Sequence, residues 1–411
     1  MPVLTPDENK YQTNSAVFPA KIITTEREAI EAAKQVAKFA AEEAQHRDQQ
    51  RVLPHAALDL FTHSGLGSIT IPKAFGGPQL SFATISEVFR IISAVDPALG
   101  QIPQNHFGIL QLLSITASEE QLKRLYGSVL AGWRIGNGGP ERGTKDTLDM
   151  RTRLTKTAAG LVLNGEKFYS TGALFAHWVA IKAIDDYQQP VITFIPKHTE
   201  GLHIVDDWSG MGQRTTASGT IKLHNALVAP ENVIALAPIS QQPNIQGAVS
   251  QLIQAAIDAG IAHGALEEAK SFIRERSRPW IDANVERNSD DLYIIADVGR
   301  LTIELNAANA LLKRAASILD QTQSAPITSE SAAYASIAVA EAKVLTTDIA
   351  LAASEKLFEW AGSRSTLAEF GLDRHWRNAR THTLHDPVRW KFHAIGQYRL
   401  NGIFPARHSW I

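Results

Sequence analysis

The sequence predicts an α+β protein built as three consecutive domains, and three observations carry that expectation. Apolar residues recur at helical spacing through the first third of the chain, short alternating runs replace them from about Trp133, and long helical patterns return beyond a linker at 236–247. The expected divisions are a helical domain over 1–132, a β-domain over 133–240 and a helical bundle over 241–411. A chain of 411 residues, 44% hydrophobic and 20% charged, can bury a core of that size.

Residues 1 to about 20 read as an extended tail. Thr25 and Glu28 have the spacing of a capping box and open a long Ala-rich helix over 26–51. A second helix over 56–64 stops at Gly65-Leu66-Gly67, and Ile69-Thr70-Ile71-Pro72 reads as a short extended piece. Helical spacing returns over 83–94, from Pro97 onward and over 119–130.

In the middle third, 151–157 alternates, a turn at Gly160 follows, and Asn164-Gly165 is a strong hairpin signal. Short strands are expected at 166–170, 178–184, 191–195, 202–205 and 220–223, in a closed or sandwiched sheet that hides its edges. Gly136-Asn137-Gly138-Gly139 lacks the strand-GxGxxG-helix context of a dinucleotide fingerprint, and by itself Asn137 reads as a turn residue. The last third predicts helices over 250–276, 291–320 and 329–360, with Ala-rich faces that allow close packing within the chain and between subunits.

The stretch 377–391 is the one with the most chemistry in it. Pro387 forces a helix break, and Asp386 before it reads as the cap of a new helix. His382 and His385, three apart, are expected on one helical face at that corner. No third ligand has a spacing that would make them a metal site.

The totals limit the function. A formal net charge of −2 gives no domain the basic excess that nucleic acid requires. No apolar run would span a bilayer, and the polar start Met1-Pro2-Val3-Leu4 has no signal-peptide core, so a cytoplasmic location is expected. The chain has no Cys and 3 Met, which excludes disulfides and thiolate chemistry. Lineage drift, synthesis under sulfur scarcity or exposure to peroxide would each account for it.

The order and size of the domains resemble the acyl-CoA dehydrogenase fold: an N-terminal α-helical domain, a middle β-barrel or sandwich domain and a C-terminal four-helix-bundle domain. Phe168-Tyr169-Ser170-Thr171-Gly172 resembles that family's flavin-contacting strand, in which a hydroxyl sits near flavin N5. Glu275-Arg276 resembles its phosphate-binding pair, which reaches a neighbouring subunit's cofactor, and Arg377-Asn378-Ala379-Arg380 resembles the run before the dehydrogenase base. Where those enzymes place a catalytic Glu this chain has Asp386, and at the alternative base position it reads Ser250-Gln251-Leu252-Ile253-Gln254-Ala255, with no carboxylate. Thr381-His382-Thr383-Leu384-His385-Asp386-Pro387 is similar instead to the flavin monooxygenase branch of the fold, which includes dibenzothiophene monooxygenases, and most of all to its sulfur-acquisition oxidoreductases. Ile102 to Phe107, Gly136-Asn137, Asp206 to Gly210 and Ser277 to Trp280 agree with that branch.

The resemblance implies a monooxygenase in which reduced flavin, supplied by a separate reductase, reacts with O₂ to give a C4a-hydroperoxide that oxygenates a small organosulfur compound. The cofactor implied is FMN, with FAD possible. Asn137 and Ser170 are implied at flavin N5 and the peroxide, and His385 as a donor to its oxygens. Phe168 and Trp208 are implied at the flavin ring, and Arg276 with Arg278 at its phosphate. His106, Gly108 and His382 are implied on the substrate side, His382 also as a support for His385, and a homotetramer is expected. An acyl-CoA dehydrogenase with Asp386 as base, or a flavin- or organosulfur-binding protein without turnover, are the alternatives.

Overall fold

The computed structural model describes residues 20–147 and 149–411, so the expected N-terminal tail lies outside the described residues except for Ala20. Its first part holds seven helices: α1 (Glu26–Ala41), α2 (Ala44–Gln50), α3 (His55–His63), α4 (Phe82–Ser93), α5 (Pro97–Gln101), α6 (Gln104–Thr116) and α7 (Glu119–Leu130). Thr25 accepts from Glu28 N at 3.2 Å, and the Glu28 carboxylate reaches back to Thr24 N at 2.8 Å. The single long helix expected over 26–51 is broken after Ala41. Arg47, buried on α2, donates to the freed carbonyl of Ala40 at 2.6 Å and to Asp96 at 2.8 Å, so the break is stabilised by a buried cation with two acceptors. The extended piece expected at 69–72 is a run of tight turns instead. Ile69 and Ile71 alternate with Thr70 because both side chains anchor the turn in the core.

Eight strands follow: β1 (Ile135–Gly138), β2 (Arg153–Thr157), β3 (Gly160–Lys167), β4 (Trp178–Ile184), β5 (Pro190–Pro196), β6 (Leu202–Val205), β7 (Thr220–Val228) and β8 (Val233–Ala235). They form one mixed sheet in the order β6-β7-β3-β2-β4-β5-β8. β1 lies parallel to the start of β4, and β2 meets β4 at its other end, through Arg153 and Ile184. One face of the sheet encloses Leu163, Val179, Ile181, Ile195 and Ile221, while Ala180, Ile192 and Phe194 on the other face join the core of the helical parts. The sheet is thus the floor against which both helical parts pack.

Asn164-Gly165 is not a hairpin. β3 runs straight through it with a register shift, and the chain reverses earlier, between Thr157 and Gly160. Gly165 has φ 148°, where a side chain would also meet Thr152 Oγ1 at 2.6 Å, and Asn164 is held by Asn225 through two side-chain bonds. The strand expected over 166–170 ends at Lys167, while β1 and β8 were not foreseen because runs of 4 and 3 residues carry almost no periodic signal. Asn137 therefore sits in a strand rather than a turn.

The last part holds α8 (Ala237–Gln241), inside the expected linker, then α9 (Gln246–Glu275), α10 (Leu292–Gln323), α11 (Ser329–Ala361), α12 (Asp373–His382) and α13 (Arg389–Asn401). Buried alanines on α9 and α11, among them Ala255, Ala259, Ala262, Ala335, Ala338 and Ala342, let the two long helices pack closely. Among the described residues no helix is long and apolar enough to cross a membrane.

Candidate functional site

The site is organised by the loop 206–219 between β6 and β7, which touches all three parts of the molecule. Asp207 fixes its start to β7, accepting from Thr220 N at 2.7 Å and Thr220 Oγ1 at 2.6 Å. Arg51 pairs with Asp206, and Arg214 Nε donates to Asp48 O at 2.8 Å, so α2 and the turn after it hold one flank. On the other flank Gly212 N donates to Thr381 Oγ1 at 3.0 Å and Gln213 N donates to Asn378 Oδ1 at 2.6 Å. The approach of α12 is close enough that a Cβ on Gly212 would lie 1.9 Å from Arg377 O, so only glycine fits.

Three residues along this wall hold left-handed backbone despite having side chains: Tyr169 (φ 57°), Gln213 (φ 53°) and Ala217 (φ 47°). Such conformations persist only where the surroundings enforce them. At Tyr169 the kink carries the next side chain inward, and Ser170 is 1% exposed with its hydroxyl free of any protein partner. Both amide atoms of Gln213 are likewise buried and unpartnered. Beside them Thr171 bonds Ser218 at 2.6 Å, Ser218 donates to Thr216 at 2.8 Å, and Thr216 donates to Gln213 O at 3.0 Å. Unpaired buried polar groups are costly, so orphans clustered on one wall point to a polar ligand that completes them. A flavin fits: its ring edge offers donors and acceptors, and aromatic walls stand ready beside it. Trp208 meets Tyr169 edge-on at 6.1 Å and tilts toward Phe168 at 6.3 Å, with its indole N–H tied to Gln213 O at 2.9 Å. Arg142 stands over the Phe168 ring, 3.7 Å from its centre. Asn137 donates to Tyr169 O at 3.4 Å and accepts from Gly139 N at 3.1 Å, so it supports the same kink.

The two histidines of the 377–391 stretch part company, because α12 ends at His382 and the spacing of three no longer describes a helix beyond it. His382 turns inward, 3% exposed, with Nδ1 at 2.5 Å from Asp258 and Nε2 at 3.1 Å from Gln101. It has no nitrogen left for a substrate, which corrects that expectation. His385 keeps a third of its side chain exposed, and its Nδ1 lies 3.2 Å from Asp386. Asp386 is not a helix cap: α13 starts after Val388 with no side-chain cap. Its carboxylate turns into the core, where the buried Lys391 ammonium at 3.0 Å needs a counter-charge.

Beneath this corner lies a charge cluster that pattern reading missed. Asp258 on α9 receives Lys343 of α11 at 2.5 Å and Thr347 Oγ1 at 3.0 Å on the oxygen that His382 leaves free. Burial opposes its ionisation, but Lys343 and His382 outweigh that and hold the carboxyl down at about 2. Part of the signal was in the sequence, since Asp258 is a lone charge in the Ala-rich run 255–262.

His106 also departs from its expected place at the substrate. Its ring accepts from Ile135 N at 3.1 Å through Nδ1 and pairs with Gly67 O at 2.8 Å through Nε2, which fixes a neutral Nε2–H tautomer. Burial drives it down to about 4, against the Gly67 carbonyl, with Arg134 adding to the fall. Its physical role is to join α6 to β1, two residues before Asn137. Gly108, two residues along α6, faces Ser250 of α9, whose Oγ would lie 3.8 Å from an added Cβ.

Arg276 and Arg278 are exposed at the far end of α9, with no carboxylate partner among the described residues. Arg276 and Arg364 both stand over the Phe370 ring, at 5.2 and 5.4 Å, and Arg364 donates to Arg276 O. At 1.5 Å rise per residue they lie roughly 37 Å along α9 from Gln251.

Residues 25–132 match the model of the acyl-CoA dehydrogenase N-terminal domain and residues 252–390 that of the acyl-CoA dehydrogenase C-terminal domain. The chain is 35% identical over 358 residues to dibenzothiophene monooxygenase of Rhodococcus erythropolis, covering 83% of this chain and 86% of that protein. It is 30% identical over 398 residues to the probable FMNH2-dependent monooxygenase SfnC of Pseudomonas putida, over 94% and 98% of the two chains. The FMN-bound structure of TdsC from Paenibacillus sp. A11-2 superimposes with a TM-score of 0.88 and 30% identity, over 93% of this chain and all of that one.

Proposed function

Since the chain belongs to the acyl-CoA dehydrogenase family, in the flavin-dependent branch that holds the dibenzothiophene monooxygenases, we propose that it uses reduced FMN and O₂ to oxygenate a small organosulfur compound. The observation that carries this reading over dehydrogenation is the state of Asp386. A base that removes a carbon-bound proton needs a free oxygen and substantial basicity. Asp386 has neither, because Lys391 and His385 engage its oxygens and, against the effect of burial, hold it far below the ordinary carboxylate range. The dehydrogenase alternative is thereby left without a base.

When bound, reduced FMN would supply the two electrons that activate O₂, of which one oxygen atom goes to the substrate and the other leaves as water. The protein's share is placement, dryness and proton control. Ser170 Oγ, with no partner of its own, is the hydrogen-bonding group for the flavin edge, and Trp208 and Phe168 wall the ring. Asn137 holds the Tyr169 kink that aims Ser170. The loop 206–219, tied down on both flanks, excludes water. His385 Nε2, the ring nitrogen that Asp386 does not engage, takes up the proton exchanged at the reacting oxygen. The substrate lies on the His385 side, with His382 and His106 behind the wall.

Arg276, Arg278 and Arg364 form the cationic patch for a phosphate belonging to a neighbouring subunit's cofactor. The span along α9 favours that arrangement, and so do the apolar side chains left exposed on α10 and before it: Leu292 at 79%, Tyr293 at 86% and Trp280 at 71%. A homotetramer in the cytoplasm, served by a separate flavin reductase, is the working state.

Stopped-flow reoxidation of the reduced FMN complex tests the reading. Mixed with oxygenated buffer, the complex should reoxidise with kinetics that change in the presence of dimethyl sulfone, methanesulfinate or dibenzothiophene. Kinetics indifferent to all of them, together with anaerobic bleaching of oxidised flavin by an acyl-CoA, would favour dehydrogenation.

A further inference from the structure

Asp386 has lost both tasks that pattern reading offers it, cap and base, and the structure gives it a third. We propose that Asp386 is a positioning residue that fixes the His385 ring with the proton on Nδ1, so that Nε2 is the nitrogen presented to the substrate side. This rests on the monooxygenase reading of His385.

The geometry allows little else. Asp386 Oδ1 lies 3.2 Å from His385 Nδ1, and an ionised carboxylate only accepts, so Nδ1 must donate. The opposite tautomer would set a nitrogen lone pair against a carboxylate. Nor can the carboxylate swing away. Oδ2 takes Lys391 Nζ at 3.0 Å, and Gln251 Nε2 approaches Oδ1 at 3.4 Å from α9. The chain end closes the arrangement, since Lys391 also donates to Trp410 O and Gln251 to Ser409 O at 3.3 Å. Asp386 is 4% exposed and Lys391 1%. The cations facing the corner are Lys391 and Lys343, with His385 as a hydrogen-bond donor and His408 nearby, and against the opposing effect of burial the His385 bond and the two lysines keep Asp386 ionised and the acceptor.

Asp386→Asn is an informative substitution because it keeps the shape. Lys391 can only donate, so the new amide oxygen stays with Lys391 and the NH₂ turns to His385. Nδ1 must then accept, and the ring proton moves to Nε2. Gln251 can accommodate the change by turning toward the NH₂ its Oε1, which has no partner in the wild-type protein.

The test reads the tautomer without any turnover. Solid-state ¹⁵N spectra of histidine-labelled apoprotein at pH 8.5, with the His385 signals identified by their loss in His385→Gln, should show Nδ1–H in the wild type and Nε2–H in Asp386→Asn. In the FMN-loaded enzyme, Asp386→Asn should bind FMN within about threefold of the wild type. It should lose at least about tenfold in oxygenated product while releasing more hydrogen peroxide, and Asp386→Glu should recover part of the loss. An Nε2–H tautomer in the wild type, or identical spectra and identical coupling in Asp386→Asn, would overturn the proposal. Wild-type protein with the Nδ1–H ring that oxygenates no organosulfur compound would support the hold of Asp386 on His385 while refuting the functional reading.

Discussion

Asn378 Oδ1 accepts a hydrogen bond from Gln213 N at 2.6 Å, and through that bond α12 holds in place a residue whose φ of 53° it would not otherwise keep. Replacing Asn378 with Ala leaves a buried N–H unsatisfied, a cost of about 1–3 kcal/mol. The loop 206–219 should loosen before the fold does. FMN fluorescence titration should show affinity weakened roughly tenfold, with the far-UV circular dichroism spectrum of the wild type retained.

Ser170 predicts an asymmetry between free and loaded protein. Its hydroxyl is unpaired in the structure, so Ser170→Ala removes no protein bond, and the melting temperature of the free protein should be unchanged or slightly raised. The additional stability conferred by FMN should shrink, by about 0.5–1.5 kcal/mol for a neutral hydrogen bond. Thermal melts with and without FMN check both signs.

His106 is predicted to matter for stability rather than chemistry. His106→Ala removes two buried bonds and leaves a cavity, about 2–4 kcal/mol by comparison with similar losses. Its pH dependence has a definite sign. The folded ring titrates at about 4 against 6.5 for the free side chain, so between those values the unfolded chain takes up a proton that the folded one refuses. The contribution is full above pH 6.5 and is lost as pH falls toward 4, with a slope near ~1.4 kcal/mol per pH unit within that window. Urea unfolding at several pH values should show that slope in the wild type and a shallower one in His106→Gln.

How far the sequence could be read follows from what pattern carries. The helices over α4, α7, α9, α10 and α11 repeat apolar residues over many turns, and their expected limits lie within a few residues of the observed ones. The motif around Ser170 was legible as a motif, but not the Tyr169 kink that carries the Ser170 side chain inward. Spacing misled wherever a backbone ended early. His382 and His385 share a face only if α12 continues, and Asp386 caps only if no buried cation competes for it. Gln213 meets Asn378, and Asp258 meets Lys343, from distant parts of the chain, so no local pattern could have joined them.

Asp258 is the acceptor for His382, Lys343 and Thr347 at once. Removing it in Asp258→Ala strands a buried lysine, a loss of about 3–5 kcal/mol. The urea midpoint should fall accordingly. Asp258→Ala combined with Lys343→Met should recover much of that stability, because the stranded charge is gone.

The most direct test of the account is the fate of labelled oxygen. With FMN reduced by a separate reductase under ¹⁸O₂, the organosulfur product should carry one ¹⁸O atom per turnover in the wild type, and His385→Phe should give hydrogen peroxide with little labelled product while still binding FMN. Label absent from every organosulfur compound tried, with all oxygen recovered as hydrogen peroxide in both proteins, would contradict it.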